Sequence, residues 1–448
     1  MKSKSFVTLC ASVAFASQVS AEKPVRLMTL EPGHFHAALV QKSMYDEIDS
    51  EVNVYSSGGP DLEMHLARIE SFNTREESPT SWVTKVHQGD DFLGRMIAEK
   101  PGNVVVLAGN NARKTEMILA SVEAGLNVLS DKPMAITPED FELLQKAFKV
   151  ADEKGVILYD IMTERFEIST MLQRELSRIP EVYGEQAKGT LDKPAVTKES
   201  VHHYFKYVAG KPLTRPWWYF DVNAQGEGIV DVATHLVDLI QWELFPGEVI
   251  KPEDVEVLAA RKWSTKLTLE EFEKVTGLKG FPDELKDKVG ADGMLEVDCN
   301  GEFTYKLRGV VAKVSVIWNY EAPEGAKDTH YSIMQGTKSS LVIRQGAEQG
   351  YLPTLSIEPV GKPEGMEAEV RKAIAKVAAK WPGVEAKAVE NGWQVVIPDK
   401  YKVGHEAHFA QVMKAYLGYL EAGELPEWEV PNMIMKHRTI MDAYRMSR

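Results

Sequence analysis

The chain has 448 residues, and a single hydrophobic core stops growing near about 250–300 residues, so two domains are expected. It is 44% hydrophobic and 26% charged with a formal net charge of -14, which excludes a fibrous or wholly disordered chain and a surface that is basic throughout. With only two cysteines, Cys10 and Cys299, a disulfide framework is also excluded.

The first residues have the pattern of a secretory signal peptide. Lys2 and Lys4 precede an apolar run over 6–16, and small residues lead to Ala21. This pattern predicts a signal peptide over 1–21, cleaved before Glu22, and therefore a periplasmic or secreted protein. The apolar run is too short to cross a bilayer, and no later stretch approaches the roughly 20 apolar residues of a spanning helix.

Removal of this segment leaves Cys299 as the one cysteine of the mature chain, so no intrachain disulfide can form. A lipid anchor on Cys10 is disfavoured because Leu9, directly before it, is larger than lipoprotein processing prefers. A buried strand is the other alternative for this segment.

Residues 22–165 alternate between short apolar runs and helical patterns. The runs that predict strands are 25–30, 52–55, 104–108, 127–130 and 156–160. The patterns that predict helices are 34–43, 90–100, 114–124 and a helix that begins after Thr137. This order predicts an α/β domain with a doubly wound parallel sheet, a Rossmann-like fold.

Residues 166–448 have a different pattern. Alternating runs at 303–307, 312–318 and 340–344 predict a large open antiparallel sheet. Helical patches at 269–276, 367–380 and 405–421 make this an α+β domain, to which we assign substrate binding and oligomerisation. His405 and His408 share a helical face, where packing is the favoured interpretation.

The turn after the first strand departs from the glycine-rich loop of dinucleotide-binding domains. Only Gly33 fits that loop, because Glu31 and His36 stand where further glycines are usual. A carboxylate at Glu31 would repel phosphate unless it points away. The second strand also lacks a terminal acidic residue, and Ser56 stands near that place, so the choice between NAD and NADP is open.

Two downstream motifs carry more specific signals. Lys132, in Asp131-Lys132-Pro133, follows a predicted parallel strand, where a side chain faces the ligand crevice. Asp231, His235 and Asp238 have helical spacing, which would place an imidazole between two carboxylates. Such a histidine suits proton abstraction from a hydroxyl, and a buried core histidine is the alternative. No metal site is predicted, because this helix lacks the remaining ligands.

These motifs together resemble the Gfo/Idh/MocA oxidoreductases, in an exported subgroup with a distinctive C-terminal oxidoreductase domain. The Asp-Lys-Pro turn is similar to the family's Glu-Lys-Pro signature, and 226–238 is similar to its glycine-rich signature ending in His-x-x-Asp. The resemblance implies that Lys132 contacts substrate and nicotinamide ribose, and that His235 is the general acid/base. It also implies that Asp231 orients His235 and that Asp238 binds substrate.

The resemblance also implies that Asn110 and Asn111 lie on the nicotinamide side, and the remaining candidates are weaker and follow from their positions near these motifs. The residues assigned to the cofactor are Gly33, His34, Phe35, His36, Ser56, Asn110, Asn111, Asp131 and Lys132. The other residues assigned to substrate are His203, Tyr204, Arg215 and Trp218. Only one of the adjacent histidines 202 and 203 can face a cleft, because side chains alternate along a strand. Core packing is an equal alternative for the aromatic residues.

The expected function is NAD(P)-dependent oxidation of a hydroxyl of a sugar or glycoside. One alternative is a redox-neutral, NAD-dependent glycosidase or lyase that works through a keto-sugar. The other is a non-catalytic carbohydrate-binding protein on a decayed fold. The expected partners are a small carbohydrate and further copies of the chain, with no nucleic acid and no membrane span. Export of a folded enzyme that already holds NAD would favour a twin-arginine signal. The signal predicted here has Lys2 and Lys4 but no arginine pair, so an exported NAD enzyme is unexpected.

Overall fold

A computed structural model describes residues 25–208, 211–322, 326–361 and 364–448. The signal peptide predicted over 1–21 lies outside the described residues. Within these ranges, no helix combines the length and the apolar character needed to cross a membrane.

The first half forms a six-stranded sheet in which every pair of neighbours is parallel. Its strands are β1 Leu27–Leu30, β2 Glu51–Ser56, β3 Val83–Gln88, β4 Val104–Leu107, β5 Asn127–Ser130 and β6 Leu158–Asp160. The spatial order β3-β2-β1-β4-β5-β6 confirms the doubly wound Rossmann-like fold. Because all six strands point the same way, their carboxyl ends meet at one edge of the sheet.

The helices of this half cover the two faces of the sheet. They are α1 His36–Leu39, α2 Pro60–Thr74, α3 Phe92–Glu99, α4 Lys114–Glu123 and α5 Pro138–Lys154. The helix predicted over 34–43 is only the single turn α1. The backbone N–H groups of Gly33 and His34 both donate to the carbonyl of Ala108 after β4, which ties this loop to the sheet before the helix begins.

The second half contains a nine-stranded sheet in the order β10-β11-β12-β7-β13-β14-β15-β17-β16. Its strands are β7 Val196–Phe205, β10 Val255–Leu267, β11 Leu295–Leu307, β12 Val310–Glu321, β13 Thr329–Gln335, β14 Ser339–Gln345, β15 Thr354–Pro359, β16 Glu385–Val389 and β17 Gly392–Val396. A separate hairpin joins β8 Tyr207–Val208 to β9 Lys211–Pro212. The large sheet is mixed rather than purely antiparallel, because β12 and β7 pair in parallel.

The second half also contains helices, and the last two of them contact helices of the first half. The helices of this half are α6 Ile168–Ser177, α7 Val222–Gln225, α8 Ala233–Leu244, α9 Leu269–Thr276, α10 Met366–Lys380, α11 His405–Ala422 and α12 Glu429–Met446. Helix α12 packs against α8 and also against α5 of the parallel-sheet half, while α11 contacts α1. The last two helices therefore return to the first half of the chain.

Candidate active site

Lys132 lies just beyond β5, at the carboxyl edge of the parallel sheet. Its ammonium donates to Oδ1 of Asp231 at 2.7 Å, and Nε2 of Gln225 donates to the other oxygen of Asp231 at 3.0 Å. Burial would lower the pKa of Lys132, but the carboxylates of Asp231 and Asp131 outweigh burial and raise it. This lysine is therefore a fixed positive charge at the strand ends.

His235 lies in the first turn of α8 and is buried. Burial lowers the pKa of His235 well below its usual value, and Lys132 and His405 lower it further. Its Nδ1 has no hydrogen-bond partner among the described residues. Asp231 was expected one helical turn before His235, but α8 begins at Ala233 and the Asp231 carboxylate is held by Lys132 and Gln225. In this geometry Asp231 pairs with Lys132, and its role in orienting His235 stays a prediction.

A cavity of about 370 Å³ adjoins His235, and apart from Glu164 its lining residues all belong to the second half of the chain. Its polar lining includes Glu164, Glu167, His202, His235, Asp328, His330, His405 and His408. Burial lowers the pKa of His330 and His405 to about 3 and that of His408 to about 4, so these imidazoles are neutral at neutral pH. The cavity offers many uncharged hydrogen-bonding groups to a small polar molecule.

Glu164 is a cavity residue that is not among the predicted site residues. It lies in a 3-10 turn, Thr163–Phe166, that follows β6. Burial raises the pKa of Glu164 to about 7, with Glu167 adding to the shift and Lys132 opposing it. Its position next to residue 165, the predicted boundary between the two domains, was the one feature of the sequence that pointed to a role at the site.

Asp238 does not line the cavity, contrary to its predicted substrate role. Arg165 donates to both of its oxygens, at 2.6 Å from Nε and 2.7 Å from Nη2, and Lys436 donates at 3.1 Å. Burial favours the protonated carboxyl, but the two cations outweigh burial and lower the pKa of Asp238. The carboxylate is thus part of a buried ion network.

The aromatic segment assigned to substrate packs mainly inside the protein. Tyr204 is buried, and Arg215 donates to its backbone oxygen at 2.9 Å while lying 4.6 Å from the centre of the Tyr219 ring. His203 is buried with Nδ1 3.0 Å from Asp328, and it is the neighbouring histidine 202 that lines the cavity. His203, Tyr204 and Arg215 do not line this cavity, and their assignment to substrate stays a prediction.

Trp218 lies on the cofactor side instead. Its indole Nε1 donates to Oδ2 of Asp61 at 2.7 Å. A Cβ atom added to Gly33 would lie 3.0 Å from that Asp61 oxygen and 3.3 Å from Cζ2 of Trp218. Trp218 and Asp61 therefore cover the loop after β1, which is where the pyrophosphate lies in Rossmann domains.

Glu31 points away from this loop. Its carboxylate accepts hydrogen bonds from the backbone N–H of Ser57 at 2.8 Å and from the Ser57 hydroxyl at 2.6 Å. The predicted contact Ser56 is buried, and its hydroxyl accepts from the N–H of Gly58 at 3.0 Å. The acidic residue that the second strand lacks is thus replaced by Glu31, which directly follows β1 and whose carboxylate lies at the end of β2.

Of the two asparagines after β4, Asn111 connects the halves of the chain and Asn110 bonds within its own loop. The backbone N–H of Asn111 donates to Ala224 at 2.7 Å, and its side chain donates to Gln225 at 2.8 Å. Asn110 accepts from the N–H of Ala112 at 2.9 Å. Their hydrogen bonds stabilise the loop and hold α7 against it.

The other predicted cofactor residues lie around Asp131. Nδ1 of His36 lies 2.9 Å from Oδ2 of Asp131, and His34 Nδ1 lies 3.7 Å from the same oxygen. Phe35 is half-buried, and the guanidinium of Arg68 lies 5.6 Å from the centre of its ring.

These residues fit a dinucleotide at both of its ends. Glu31 and Ser57 would meet the ribose at the end of β2, and Lys132 would meet the nicotinamide side beside the cavity. Between them, Trp218 and Asp61 lie on Gly33, so a bound pyrophosphate requires these two side chains to move.

Comparisons with known proteins agree with this architecture. Residues 62–160 match the model described as "Oxidoreductase family, NAD-binding Rossmann fold", and residues 172–448 match "Putative oxidoreductase C terminal domain". A crystal structure described as a "putative oxidoreductase" from Parabacteroides merdae is 56% identical, with a TM-score of 0.92, over 94% of this chain and 97% of that one. No curated protein matches the chain.

Two more distant structures share the fold. Levoglucosan dehydrogenase, in complex with NADH and levoglucosan, is 13% identical with a TM-score of 0.60, over 95% of this chain and 97% of that one. A 3-ketoreductase from Actinomadura kijaniata, in complex with TDP-benzene and NADP, is 15% identical with a TM-score of 0.55, over 95% and 98%.

Fold and comparisons together define an oxidoreductase with an NAD-binding Rossmann fold. More particularly, the chain belongs to the Gfo/Idh/MocA family, in the group that carries the oxidoreductase C-terminal domain.

Proposed function

We propose that this protein oxidises a hydroxyl of a sugar or glycoside with NAD. One observation carries the proposal: His235, a buried histidine with a strongly lowered pKa, lines a cavity of about 370 Å³, and the charge of Lys132 contributes to that lowering. The volume lies within the usual range for small-molecule sites. Neutral histidines and carboxylates around it suit a polyhydroxylated ligand, because each can pair with a hydroxyl.

His235 would act as the general base. Its imidazole is neutral at neutral pH, so the unprotonated ring nitrogen accepts the proton that leaves the substrate hydroxyl. The ammonium of Lys132, which Asp231 holds in place, stabilises the negative charge that develops on the substrate oxygen. When bound, nicotinamide supplies the hydride acceptor.

Glu31 favours NAD over NADP. A carboxylate at the end of β2 accepts hydrogen bonds from ribose hydroxyls and repels a 2′-phosphate. Here the Glu31 carboxylate is fixed at that place by two hydrogen bonds from Ser57. Glu31→Gln should therefore weaken NAD binding and reduce the ratio of the affinity for NAD to the affinity for NADP.

Redox-neutral cleavage of a glycoside is the second candidate, and Glu164 favours it. Cleavage through a keto-sugar needs a second acid/base group to take the acidified C–H proton. Glu164 lines the same cavity with a pKa raised to about 7, which suits proton transfer in either direction.

The experiment uses the mature chain with a panel of sugars and glycosides. Mass spectrometry of the denatured protein first identifies any bound nucleotide. Product analysis then separates a ketosugar, which supports oxidation, from a released aglycone, which supports cleavage. Absence of nucleotide, of nicotinamide affinity and of product would leave a carbohydrate-binding protein and overturn the proposal.

His235→Gln tests the general base. We expect kcat to fall by at least about 100-fold with nucleotide binding unchanged. His437→Gln is the matched control, because His437 is also buried with a pKa lowered to about 3, but lies on α12 and does not line the cavity. Unchanged turnover in the His235 variant would refute its role.

We also propose that the protein is exported through the signal peptide over 1–21. An extracytoplasmic enzyme has little access to a soluble NAD pool. This fits the second candidate, redox-neutral cleavage, in which the NADH formed by oxidation of the sugar is reoxidised when the keto group is reduced after elimination.

A further inference from the structure

His34, His36 and Asp131 form a compact cluster at the carboxyl ends of β1 and β5. One potential ligand atom of each lies within 4.8 Å of the other two. Among the described residues, this is the only such group of three histidine, cysteine or acidic side chains. The sequence predicted no metal here, because the three residues come from two strand ends 95 positions apart.

The distances in the cluster suit a tetrahedral metal ion. Ligand atoms about 2.0–2.1 Å from a tetrahedral centre lie about 3.3 Å from each other. The Asp131 oxygen lies 2.9 Å from Nδ1 of His36 and 3.7 Å from Nδ1 of His34, on either side of that value. The ligand atoms of the two histidines lie within 4.8 Å of each other, so metal binding would draw the rings together. His34 Nδ1 would also give up the hydrogen bond that it accepts from the backbone N–H of His36 at 3.4 Å.

The donor set also points to a transition metal. Two imidazoles and one carboxylate are the ligands of catalytic zinc and of non-haem iron sites, which leave further positions for solvent. The Asp131 and His36 side chains are 4% and 7% exposed, whereas His34 is 17% exposed. His34 also lines a cavity of about 30 Å³, which has room for a solvent ligand.

We propose that His34, His36 and Asp131 bind one divalent first-row transition metal ion, Zn²⁺ or Fe²⁺, with solvent in the remaining position. The ring of His405, 5.4 Å from that of His36, lies beside the same cluster.

Two ammonium groups nearby have oxygen partners of their own. Lys132 donates to the Asp231 carboxylate. Lys114 donates to the backbone carbonyls of Asp131 and Pro133, at 3.2 Å and 3.4 Å, and not to the Asp131 carboxylate. The carboxylate oxygen therefore remains available to a metal ion, and its present neighbour is the imidazole of His36.

The inference rests on this geometry and not on the proposed function. A protein without sugar oxidation can still bind the metal, and a metal-free protein can still oxidise a sugar. The competing explanation is a simple hydrogen bond between His36 and Asp131, with His34 packed beside them.

The test measures metal binding directly. The mature protein is stripped with a chelator and titrated with Co²⁺, whose visible absorption reports tetrahedral nitrogen and oxygen ligands. Zn²⁺ is then added as a competitor, and the bound metal is quantified by elemental mass spectrometry. We expect one equivalent of Co²⁺, displaced by one equivalent of Zn²⁺.

His34→Gln is the informative variant, because His34 is the most exposed ligand and its loss disturbs the core least. It should weaken metal binding by at least about 100-fold, since loss of a group outside the ligand set already costs about 10–100-fold. Asp131→Asn should act alike, and His87→Gln on the edge strand should bind as the wild type does. Circular dichroism checks folding of each variant. A wild-type protein that takes up no Co²⁺, or a folded His34 variant with unchanged affinity, would overturn the proposal.

Discussion

The buried ion network around Asp238 allows a quantitative test by charge counting. Its three carboxylates and two cations sum to one excess negative charge when every group is ionised, and burial raises the pKa of two of the carboxyls, Asp160 and Glu429. The members of the network are Asp160, Asp238, Glu429, Arg165 and Lys436. Lys436 is fully buried and binds both aspartates. Lys436→Met keeps the side-chain volume but leaves three carboxylates with one cation. Uncompensated buried charge costs about 3–5 kcal/mol of unfolding free energy.

Asp238→Asn is the matched control. It leaves two carboxylates with two cations, so only charge-assisted hydrogen bonds are weakened. We expect this to cost about 1–3 kcal/mol of unfolding free energy. The two variants also differ in their response to pH. Without Lys436 the remaining carboxyls have raised pKa values, and a raised carboxyl pKa gives stability at low pH that is lost as the pH rises. The cost of Lys436→Met should therefore shrink on acidification.

Urea unfolding followed by circular dichroism, at about pH 7.5 and about pH 5.5, measures both effects. A loss below about 1 kcal/mol for Lys436→Met, or a loss larger for Asp238→Asn, would refute the charge counting. A substrate role for Asp238 would show instead as a raised KM in a protein of unchanged stability.

Three further outcomes are expected. Trp218→Ala removes the indole that covers Gly33, where an added Cβ would lie 3.3 Å from the ring. NAD should then bind about tenfold more tightly in a calorimetric titration. Weaker binding would mean that the indole contacts the cofactor. Glu164→Gln should stabilise the protein by about 1–3 kcal/mol near pH 8.5 but not near pH 5, because the raised pKa of Glu164 disfavours folding once the carboxyl ionises; equal effects at both pH values in thermal melts would contradict this. N-terminal sequencing of protein recovered from outside the cytoplasm should begin at Glu22, and an intact Met1 there would contradict the predicted signal peptide.

The parallel sheet was largely predictable because its buried strands are continuous apolar runs. Strand β5 and the start of α5 agree with the sequence-based bounds, and Thr137 forms the capping box that its sequence indicates. Strand β3 was missed because it is an exposed edge strand with alternating polar residues. The parallel pairing of β12 with β7 was also unpredicted, since nothing local in either strand specifies a partner.

The site was predictable only where a local motif carried it. Lys132 and His235 each stand in a short signature; His235 lines the cavity, and the charge of Lys132 acts on His235. Asp328 and His330 have no such pattern, because β13 reaches the cavity through its pairing with β7. The same register places His202, rather than His203, at the cavity. The alternation of side chains along a strand says that only one of the two can face it, but not which one.

The return of the last two helices to the first half of the chain affects how a cofactor could be exchanged. Helix α12 packs on α5 and α8 together, and Lys436 on it binds Asp160 at the end of β6. A hinge between the halves would have to break these contacts, whereas displacing Trp218 disturbs only its local packing. Cofactor would thus enter and leave through a local opening, which favours a long residence time. Slow exchange is no disadvantage to an enzyme that regenerates its cofactor in place.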